Sequence, residues 1–373
     1  MKKILVTGAA GFVGRNIVAE LSRFPELYTV FQVDINTENS YFEEALSQCD
    51  FIIHLAGVNR PTDDSEFQTG NADLTWNMVN YLLTHSRSVP IAMTSSIQAE
   101  LDNPYGRSKR QAEQHVFQYR DKSSAPVYIF RMPNIFGKWS RPNYNSAVAT
   151  FCYNIAHGLP ITVRDPAYPM SLIYIDDVIG LIMECLQHGI MPEQDGFCRA
   201  KGAFRTTLGE IASKIQDFGS CRNSMTMPCE LRGLDRALYS TYLSYLEYDQ
   251  LAVSPITHGD ARGIFAELFK TFGTGQFSVS TTVPGVTRGN HWHHSKTEKF
   301  IVVAGNARIR LRRIDEQEIY EILVSGDKPQ IVDIPPGTTH SIENISEDQT
   351  LVTLIWASEL FDHARPDTNF MEV

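Results

Sequence analysis

An apolar, β-branched run leads directly into a glycine turn in Lys3-Ile4-Leu5-Val6-Thr7-Gly8-Ala9-Ala10-Gly11-Phe12-Val13-Gly14. Apolar residues at helical spacing follow it, so the pattern predicts a strand, a turn and a helix. Glycines in such a turn let the backbone approach a phosphate closely, and the N-terminus of the helix favours negative charge. Glycine turns are common, so the phosphate-binding interpretation depends on the predicted strand before this turn and the predicted helix after it. The stretch predicts a phosphate-binding βα unit.

The chain continues with strands that end in acidic or small residues. Tyr28–Val33 is a predicted second strand that ends at Asp34, where an acid can hold the ribose diol of an adenosine. An exposed acid at a strand end is an equally good interpretation of Asp34. Phe51–His54 is a predicted third, buried strand that leads into the small-residue turn Leu55–Gly57. Strands that alternate with helices in this way are typical of a parallel α/β sheet.

A tyrosine and a lysine lie four residues apart in Asn103-Pro104-Tyr105-Gly106-Arg107-Ser108-Lys109. On a helix this spacing places Tyr105 and Lys109 on one face. We expect the nearby ammonium to lower the pKa of the phenol, which can then pass a proton to a developing alkoxide. A serine hydroxyl from the preceding strand end, Ser95 or Ser96, can hydrogen-bond the same oxygen. Taken alone, this spacing more often marks a surface Tyr/Lys pair.

Together these motifs resemble the extended short-chain dehydrogenase/reductase family over about two-thirds of the chain. The resemblance rests on T-G-x-x-G-F-V-G from Thr7, H-L-A-G from His54, S-S at Ser95-Ser96, and Y-x-x-x-K. It implies a Rossmann-type fold in which Ser96, Tyr105 and Lys109 are catalytic, and it favours Ser96 over Ser95. It also implies a nicotinamide cofactor held by Gly8, Gly11, Phe12, Val13, Gly14, Asp34, Leu55, Ala56, Gly57, Tyr105, Lys109, Pro133 and Asn134.

A second group of chemically active residues lies far along the chain. His291 and His293 are two apart, which on a β-strand puts both rings on one face. Glu298 follows closely, and His340 comes about forty residues later. Three imidazoles and one carboxylate are a ligand set for a divalent transition metal such as zinc, with a position left for water or substrate. Iron(II) also suits this set and is the less favoured metal.

The spacing around these residues resembles the cupin family. Its first motif, G-x5-H-x-H-x4-E-x6-G, is met from Gly285 to Gly305, and its second is met from Pro335 to Asn344. The leading glycine of the second motif is replaced by Pro329, which is not a metal ligand. The resemblance implies a small all-β barrel with His291, His293, Glu298 and His340 as its metal ligands.

Composition limits the classes of partner. The chain has 373 residues with a net charge of −10 and a pI near 5.6. No basic run alternates with aromatic residues, so we expect neither nucleic acid nor a membrane as a partner. The six cysteines show no C-x-x-C spacing and no secretory signal pattern follows Met1, which together predict reduced thiols and a cytoplasmic protein.

The character of the sequence changes near residue 250. Before it, helical and strand patterns alternate; after it, short β-type runs are separated by Gly and Pro turns. We therefore predict an α/β Rossmann-type domain over residues 1–250 that includes a small substrate lobe, followed by an all-β cupin barrel over residues 251–373. Predicted barrel strands include 276–283, 298–303, 307–313, 318–324, 330–334 and 351–357.

From end to end, the chain resembles bifunctional enzymes of capsular polysaccharide synthesis. Matching runs include Asn59-Arg60-Pro61, Arg141–Ser146 and Pro366-Asp367-Thr368. The resemblance implies that the barrel is a zinc-dependent C3-epimerase for a UDP-4-keto-6-deoxy-N-acetylhexosamine. The first domain is then an NADPH-dependent C4-reductase, in a cytoplasmic homodimer. Asp34 would repel the 2′-phosphate of NADPH, and Arg15 could offset this. The alternative is a sugar-nucleotide epimerase or dehydratase whose barrel is a non-catalytic binding or dimerising module.

Overall fold

A computed structural model describes residues 1–224, 227–228, 231–254, 257–260, 263–266, 275–359 and 364–373. The chain forms two compact units. The first consists of Met1–Ser146 and Met170–Arg205, and the second of Ala147–Pro169 and Thr206–Val373. No helix in the described ranges has both the length and the apolar character to cross a bilayer.

The first unit is built on a parallel sheet. Its strands are β1 (Lys2–Thr7), β2 (Tyr28–Val33), β3 (Phe51–His54), β4 (Ile91–Ser96) and β5 (Val127–Met132). Their order is β2-β1-β3-β4-β5, so the direction of winding reverses between β1 and β3. In sheets of this kind ligands bind at the carboxyl ends of the strands beside that reversal.

Helices follow these strands. In chain order they are α1 (Phe12–Ser22), α2 (Asn39–Gln48), α3 (Ser65–Phe67), α4 (Leu74–Thr84), α5 (Pro104–Ser123), α6 (Ala147–Ala156), α7 (Ile175–His188), α8 (Leu208–Asn223) and α9 (Gly233–Leu243). A π-helical turn, Gln68–Asp73, joins α3 to α4, and 3₁₀ turns span Ile97–Glu100 and Tyr248–Gln250. One face of α4 is apolar, because Met78, Val79 and Leu82 are buried in one cluster with Leu5 and Ile52.

The remaining strands are β6 (Asn134–Phe136), β7 (Pro169–Tyr174), β8 (Phe204–Thr207), β9 (Ala252–Val253), β10 (Thr257–Asp260), β11 (Gly263–Ala266), β12 (Gln276–Thr282), β13 (Thr287–Trp292), β14 (Glu298–Ala304), β15 (Asn306–Arg313), β16 (Tyr320–Ser325), β17 (Ile331–Ile334), β18 (Thr338–Asn344), β19 (Leu351–Ala357) and β20 (Asn369–Phe370). A small sheet has the order β6-β7-β8. The barrel strands predicted from the sequence are confirmed within a few residues.

Two antiparallel sheets make up the barrel, with orders β12-β19-β14-β17-β9 and β16-β15-β18-β13-β20. Side chains alternate along the strands, so on β15 Ala307, Ile309 and Leu311 are buried. The predicted architecture, an α/β domain followed by an all-β barrel, is therefore present in the structure.

The second unit also contains α6, α8 and α9. A buried ionic cluster joins α8 to the barrel, because the Asp333 carboxylate on β17 pairs with both Arg222 of α8 and Lys299 of β14. Arg222 also donates to the carbonyl of Gln250. By packing, these helices belong with the barrel, whereas the sequence places them in the first domain. The domain boundary near residue 250 stays a prediction. The two compact units are defined by packing, and they do not divide the chain at a single point.

Candidate functional site

The glycine turn after β1 packs directly on the turn after β3. Gly8 has a φ of +69°, and a Cβ there would lie 2.8 Å from the backbone nitrogen of Ala56. A Cβ on Gly14 would lie 2.0 Å from the carbonyl oxygen of Gly8. Helix α1 begins at Phe12 after Gly11, which has no side chain to cap the helix. The residues thus form a backbone cradle beside the β1/β3 reversal that fits a dinucleotide phosphate.

A buried histidine supports this cradle through a directed chain of hydrogen bonds. Thr7 Oγ1 accepts from the Ala56 N–H (3.3 Å) and lies 2.7 Å from His54 Nδ1. His54 Nε2 lies 2.9 Å from Thr75 Oγ1, which donates to the carbonyl of Asn71 (2.7 Å). Each hydroxyl has one proton, so Thr7 donates to Nδ1 and Nε2–H donates to Thr75. Burial lowers the pKa of His54 to about 3, which keeps the ring neutral.

Asp34 lies at the end of β2, as predicted, with its carboxylate turned to the backbone. One oxygen accepts the N–H of Ala10 in the glycine turn (2.7 Å), and the other accepts the N–H of Ile35 (2.8 Å). The side chain therefore ties the second strand to the phosphate cradle. Arg15 stacks on the Trp139 ring with 5.3 Å between guanidinium carbon and ring centroid.

Helix α5 carries Tyr105 and Lys109 one turn apart. The helix begins cleanly because Asn103 accepts the Gly106 N–H (2.7 Å) and Pro104 occupies the first turn. The Tyr105 phenol interacts with the side chain of Ser96, at the carboxyl end of β4. Lys109 is buried and donates to the Thr94 carbonyl at 3.0 Å. The structure thus brings Ser96, Tyr105 and Lys109 together at one strand end.

The pKa values at this site depart from the expectation made for the phenol. Burial raises the pKa of Tyr105, and the Ser96 hydrogen bond is the interaction that lowers it. Lys109 does not produce the expected lowering, because its ammonium is directed at the Thr94 carbonyl. Burial lowers the pKa of Lys109 to about 8, against the opposing charge of Glu113. The site therefore holds a protonated phenol that can donate a proton near neutral pH.

Ser95, the other candidate, has a structural partner. Its hydroxyl donates to Glu113, whose carboxylate also accepts two hydrogen bonds from Arg131 at 3.0 and 2.7 Å. Alternation along β4 points neighbouring serines in opposite directions. Ser96, which contacts the phenol, is the serine placed for chemistry.

Asn71 is a site residue that the sequence analysis missed. It lies in the π-helical turn and is buried. Its amide accepts the Val58 N–H and donates to the Val58 carbonyl, both at 2.9 Å, and it also donates to Ser108 Oγ at 3.0 Å. A Cβ on Gly57 would lie 2.7 Å from its oxygen. Asn71 thus joins the turn after β3 to helix α5, a role for which the linear sequence carries no signal.

Pro133 lies between β5 and β6, past the carboxyl end of β5, and Asn134 is the first residue of β6. Asn134 is exposed, and its side chain donates to the Ser171 carbonyl at 3.2 Å. Leu55, Ala56 and Gly57 follow β3 at the same end of the sheet. The predicted cofactor residues are therefore gathered along the carboxyl ends of β1 to β5.

The four predicted metal ligands converge inside the barrel. His291, His293, Glu298 and His340 each offer a ligand atom, and these atoms lie within 4.8 Å of one another. Ring centroids are 4.5 Å apart for His291 and His340, and 5.0 Å apart for His291 and His293. Strand pairing sets this arrangement, because His291 on β13 lies directly opposite His340 on β18.

An irregularity in β13 positions the first histidine. The register with β18 shifts between Gly289 and His291, and both Gly289 (φ +98°) and Asn290 (φ +54°) have left-handed conformations. A Cβ on Gly289 would lie 2.8 Å from the His340 carbonyl oxygen, so the close approach requires glycine. Such bulges redirect side chains near sites.

The hydrogen bonds of the rings suit metal binding. His293 Nδ1 donates to the Asp367 carbonyl, and His340 Nδ1 lies 3.4 Å from the Thr338 carbonyl. Their Nε2 atoms each lie 3.3 Å from Glu298 Oε2. These three atoms are buried without a hydrogen-bond partner among the described residues. The carbonyls of Asp367 and Thr338 lie at Nδ1 of these rings, which leaves the Nε2 lone pairs facing a carboxylate, an arrangement that fits a divalent cation.

Electrostatics favour neutral imidazoles here. Burial lowers the pKa of His340, and burial with the two neighbouring imidazoles lowers that of His291 to about 4. Burial opposes ionisation of Glu298, yet its interactions with His293 and His340 hold the carboxyl pKa well below its usual range. Burial thus favours the neutral imidazole at His291 and His340 beside an ionised Glu298, which is the state that metal ligation needs.

Two family models match the chain. Residues 4–194 match the NAD dependent epimerase/dehydratase family, and residues 258–369 match the Polysaccharide biosynthesis C-terminal domain. The first covers the glycine turn, Tyr105 and Lys109. The second covers all four residues of the histidine cluster and reaches Asn369.

A curated relative matches nearly the whole chain. This is UDP-2-acetamido-2,6-beta-L-arabino-hexul-4-ose reductase of Pseudomonas aeruginosa, 46% identical over 368 residues, which cover 98% of this chain and 97% of the relative. Among solved structures, the capsular polysaccharide assembling protein CapF from Staphylococcus aureus is 44% identical with a TM-score of 0.68. That match covers 99% of this chain and all of CapF.

A more distant structure shares the fold of the first part. The UDP-glucuronic acid 4-epimerase of Bacillus cereus, in complex with NAD, is 20% identical with a TM-score of 0.52, over 58% of this chain and 83% of the epimerase. The domain order, the reductase-type Ser/Tyr/Lys arrangement and the end-to-end similarity agree. The chain therefore belongs to the NAD dependent epimerase/dehydratase family and, within it, to the CapF-like proteins that carry a C-terminal polysaccharide biosynthesis domain.

Proposed function

We propose that the chain is a bifunctional enzyme acting on a UDP-4-keto-6-deoxy-N-acetylhexosamine. The barrel is the C3-epimerase and the first unit is the NADPH-dependent C4-reductase. The product is UDP-2-acetamido-2,6-dideoxy-L-talose, a precursor of N-acetyl-L-fucosamine in capsular or O-antigen polysaccharide. The observation that carries this proposal is the presence of two complete constellations, Ser96/Tyr105/Lys109 and the histidine cluster, in one chain similar throughout to a UDP-sugar 4-keto reductase.

The reductase chemistry follows from the donors at the end of β4. A bound nicotinamide supplies the hydride. Ser96 Oγ and the Tyr105 hydroxyl donate hydrogen bonds to the ketone oxygen at C4, and the phenol proton passes to that oxygen as charge develops. Lys109 is buried one turn along α5 with its ammonium on the Thr94 carbonyl, and it would add positive charge beside a bound nicotinamide.

The epimerase chemistry follows from the acidity that a C4 ketone gives to the hydrogen on C3. A divalent cation held by His291, His293, Glu298 and His340 would polarise the ketone oxygen as a Lewis acid. The ligands are mostly buried, so charge interactions inside the barrel are screened less than in water. Removal of the C3 proton and its return from the opposite face inverts that carbon. We propose zinc, since a set of three histidines and one carboxylate suits it.

We propose NADPH rather than NADH as the reductant. Asp34 would ordinarily select the free ribose diol, yet both of its oxygens already accept a backbone N–H, from Ala10 and Ile35. These bonds occupy the carboxylate and turn it to the glycine turn, which reduces its repulsion of a 2′-phosphate. Fluorescence titration with NADPH and NADH tests this: we expect the lower Kd for NADPH, and the reverse order would contradict the preference.

The resemblance to enzymes of capsular polysaccharide synthesis also implies an oligomeric state and a location in the cell. We propose a homodimer in the cytoplasm. Light scattering of the purified chain and fractionation of the host cell test these two points separately.

Proton NMR in D₂O tests the two activities. The substrate, UDP-2-acetamido-2,6-dideoxy-4-keto-hexose, is incubated with the protein first without and then with NADPH. We expect deuterium at C3 before NADPH is added, and a reduced talo product after it. If C3 does not exchange while NADPH is consumed, the barrel is a binding or dimerising module and only the reductase remains. If NADPH is never consumed, the reductase assignment fails.

A further inference from the structure

The segment Asp367–Glu372, here called the C-terminal strap, lies along β13, the strand that carries His291 and ends one residue before His293. Its short strand β20 pairs with β13, with Phe370 opposite His291 and Asn369 opposite Trp292. The Met371 N–H donates to the Asn290 carbonyl at 2.9 Å, and the Asn369 amide donates to the Trp292 carbonyl at 3.4 Å. The strap thus extends the sheet at the edge of the histidine cluster.

Asp367 acts on the histidine cluster through both its backbone carbonyl and its side-chain carboxylate. Its backbone carbonyl accepts the Nδ1–H of His293, which fixes the tautomer of that ring and leaves Nε2 facing Glu298. Its carboxylate lies in the turn between β13 and β14. There it accepts three successive backbone N–H groups, from His294 (2.7 Å), Ser295 (2.9 Å) and Lys296 (3.0 Å).

The arrangement of these bonds requires a carboxylate. Oδ1 accepts the His294 N–H, whereas Oδ2 accepts the N–H groups of Ser295 and Lys296 and lies 3.3 Å from Ser295 Oγ. Successive N–H groups of this kind form a small anion-binding concavity. An asparagine would place its NH₂ group against backbone donors in either orientation. The turn it holds connects His293 directly to Glu298, so its shape sets the spacing of two ligands.

We propose that Asp367 is a positioning residue for the metal site and that the strap sets the affinity of the barrel for a divalent cation. This inference rests on the proposed metal site. The strap accepts a hydrogen bond from the His293 ring, and it also fixes the backbone on both sides of that ring. Without it, the His293 ring loses its hydrogen-bonded tautomer and the turn to Glu298 loses its anchor.

The experiment uses the full-length protein loaded with Zn²⁺ or Co²⁺. Competition with a chromogenic chelator gives the metal affinity, and the visible spectrum of the Co²⁺ form reports ligand geometry independently of catalysis. We expect Asp367→Asn to weaken metal affinity about 10- to 100-fold and to change the Co²⁺ spectrum. Asp348→Asn, at an exposed acid of the same unit, is the matched control and should leave both unchanged.

Two further variants keep the test decisive if Asp367→Asn fails to fold. Ser295→Ala removes a hydroxyl that lies 2.9 Å from Glu359 and 3.3 Å from the Asp367 carboxylate, and it should weaken affinity a few-fold. A chain that ends at Pro366 lacks the strap and should show the largest loss. Wild-type affinity and spectrum in Asp367→Asn, or in both of the other variants, would overturn the inference while leaving the metal site intact. A wild-type protein that takes up neither ion would overturn the metal site itself.

Discussion

The two candidate sites are opposite in what they present to a ligand. At the end of the parallel sheet, the glycine turn, Ser96 and Tyr105 present N–H and O–H donors, with the buried ammonium of Lys109 behind them. In the barrel, the histidine cluster presents converging lone pairs of imidazoles and a carboxylate. The first arrangement favours anions and a ketone oxygen that gains charge, and the second favours a cation. In the proposed function, one chain separates proton donation from Lewis-acid chemistry by building each on a different architecture.

The sites also differ in how the fold assembles them. Ligands of the cluster come from β13, β14 and β18, antiparallel strands in which register decides which side chains meet. The reductase site takes single residues from the ends of several parallel strands and from one helix face. In the barrel, the pairing of neighbouring strands brings the cluster residues together. The candidate reductase site depends instead on buried side chains such as Asn71, which joins the turn after β3 to helix α5. The following variants test whether the two sites work separately.

The largest expected effect is on reduction in Tyr105→Phe. Without the phenol proton, C4 reduction should fall about 100- to 10,000-fold, because general acid catalysis contributes that much. C3 exchange in D₂O should remain, since the phenol has no part in it. NADPH consumption measures C4 reduction, and proton NMR in D₂O measures C3 exchange. Tyr168→Phe, at an exposed tyrosine, is the control. Loss of both activities in a folded Tyr105→Phe protein would show that the sites are not separate.

The converse variant, His291→Ala, removes one ligand of the cluster. Metal affinity should fall by more than about 100-fold, since even outer-shell partners account for 10- to 100-fold. C3 exchange should disappear while NADPH still binds. Chelator competition, NMR exchange and NADPH fluorescence give the three measurements, with His85→Ala as an exposed control. Unchanged exchange in a metal-free protein would rule out metal-assisted enolisation.

A smaller effect is expected for Asn71→Ala, which removes the link between the turn after β3 and helix α5. The Val58 backbone groups lose their buried partner, which should lower the free energy of unfolding by about 1–3 kcal/mol. Reduction should weaken as Gly57 and Val58 shift, whereas metal affinity should not change. Urea unfolding measures the stability, NADPH consumption measures the reduction, and chelator competition measures the metal affinity. Asn77→Ala, exposed on α4, should be near neutral. Equal stability of the two variants would contradict the linking role.

The smallest expected effect is a pH dependence due to His54. Its pKa is about 3 in the folded chain and about 6.5 when unfolded, so between these values only the unfolded chain binds the proton. Stability from this residue is present above pH 6.5 and is lost as pH falls, by at most about 1.4 kcal/mol per unit. In His54→Gln the urea midpoint should fall less steeply from pH 6.5 to 5.5. His188→Gln, at an exposed histidine, should keep the wild-type slope.

Much of both sites could be predicted from spacing alone. Strand alternation and helix periodicity are local, so His291 with His293, and Tyr105 with Lys109, follow from their separations. The supporting residues could not be found this way, because Asn71 and Asp367 become neighbours of the sites only through the topology. The rise in the pKa of Tyr105 depends on burial, which spacing does not reveal. Packing of α8 on the barrel depends on the buried Arg222–Asp333 pair, which is likewise a product of the fold.

The C-terminal strap has a consequence for the order of synthesis. Ribosomes make the chain from its N-terminus, and domains fold as they emerge. All four members of the histidine cluster are translated before Asp367, so the ligands are present in the nascent chain without the group that fixes His293. On the proposal above, a chain made only as far as His340 would hold a cation less tightly than one that includes Asp367. Tight metal binding is then set by the segment that follows the ligands in the sequence, and not by the ligands alone.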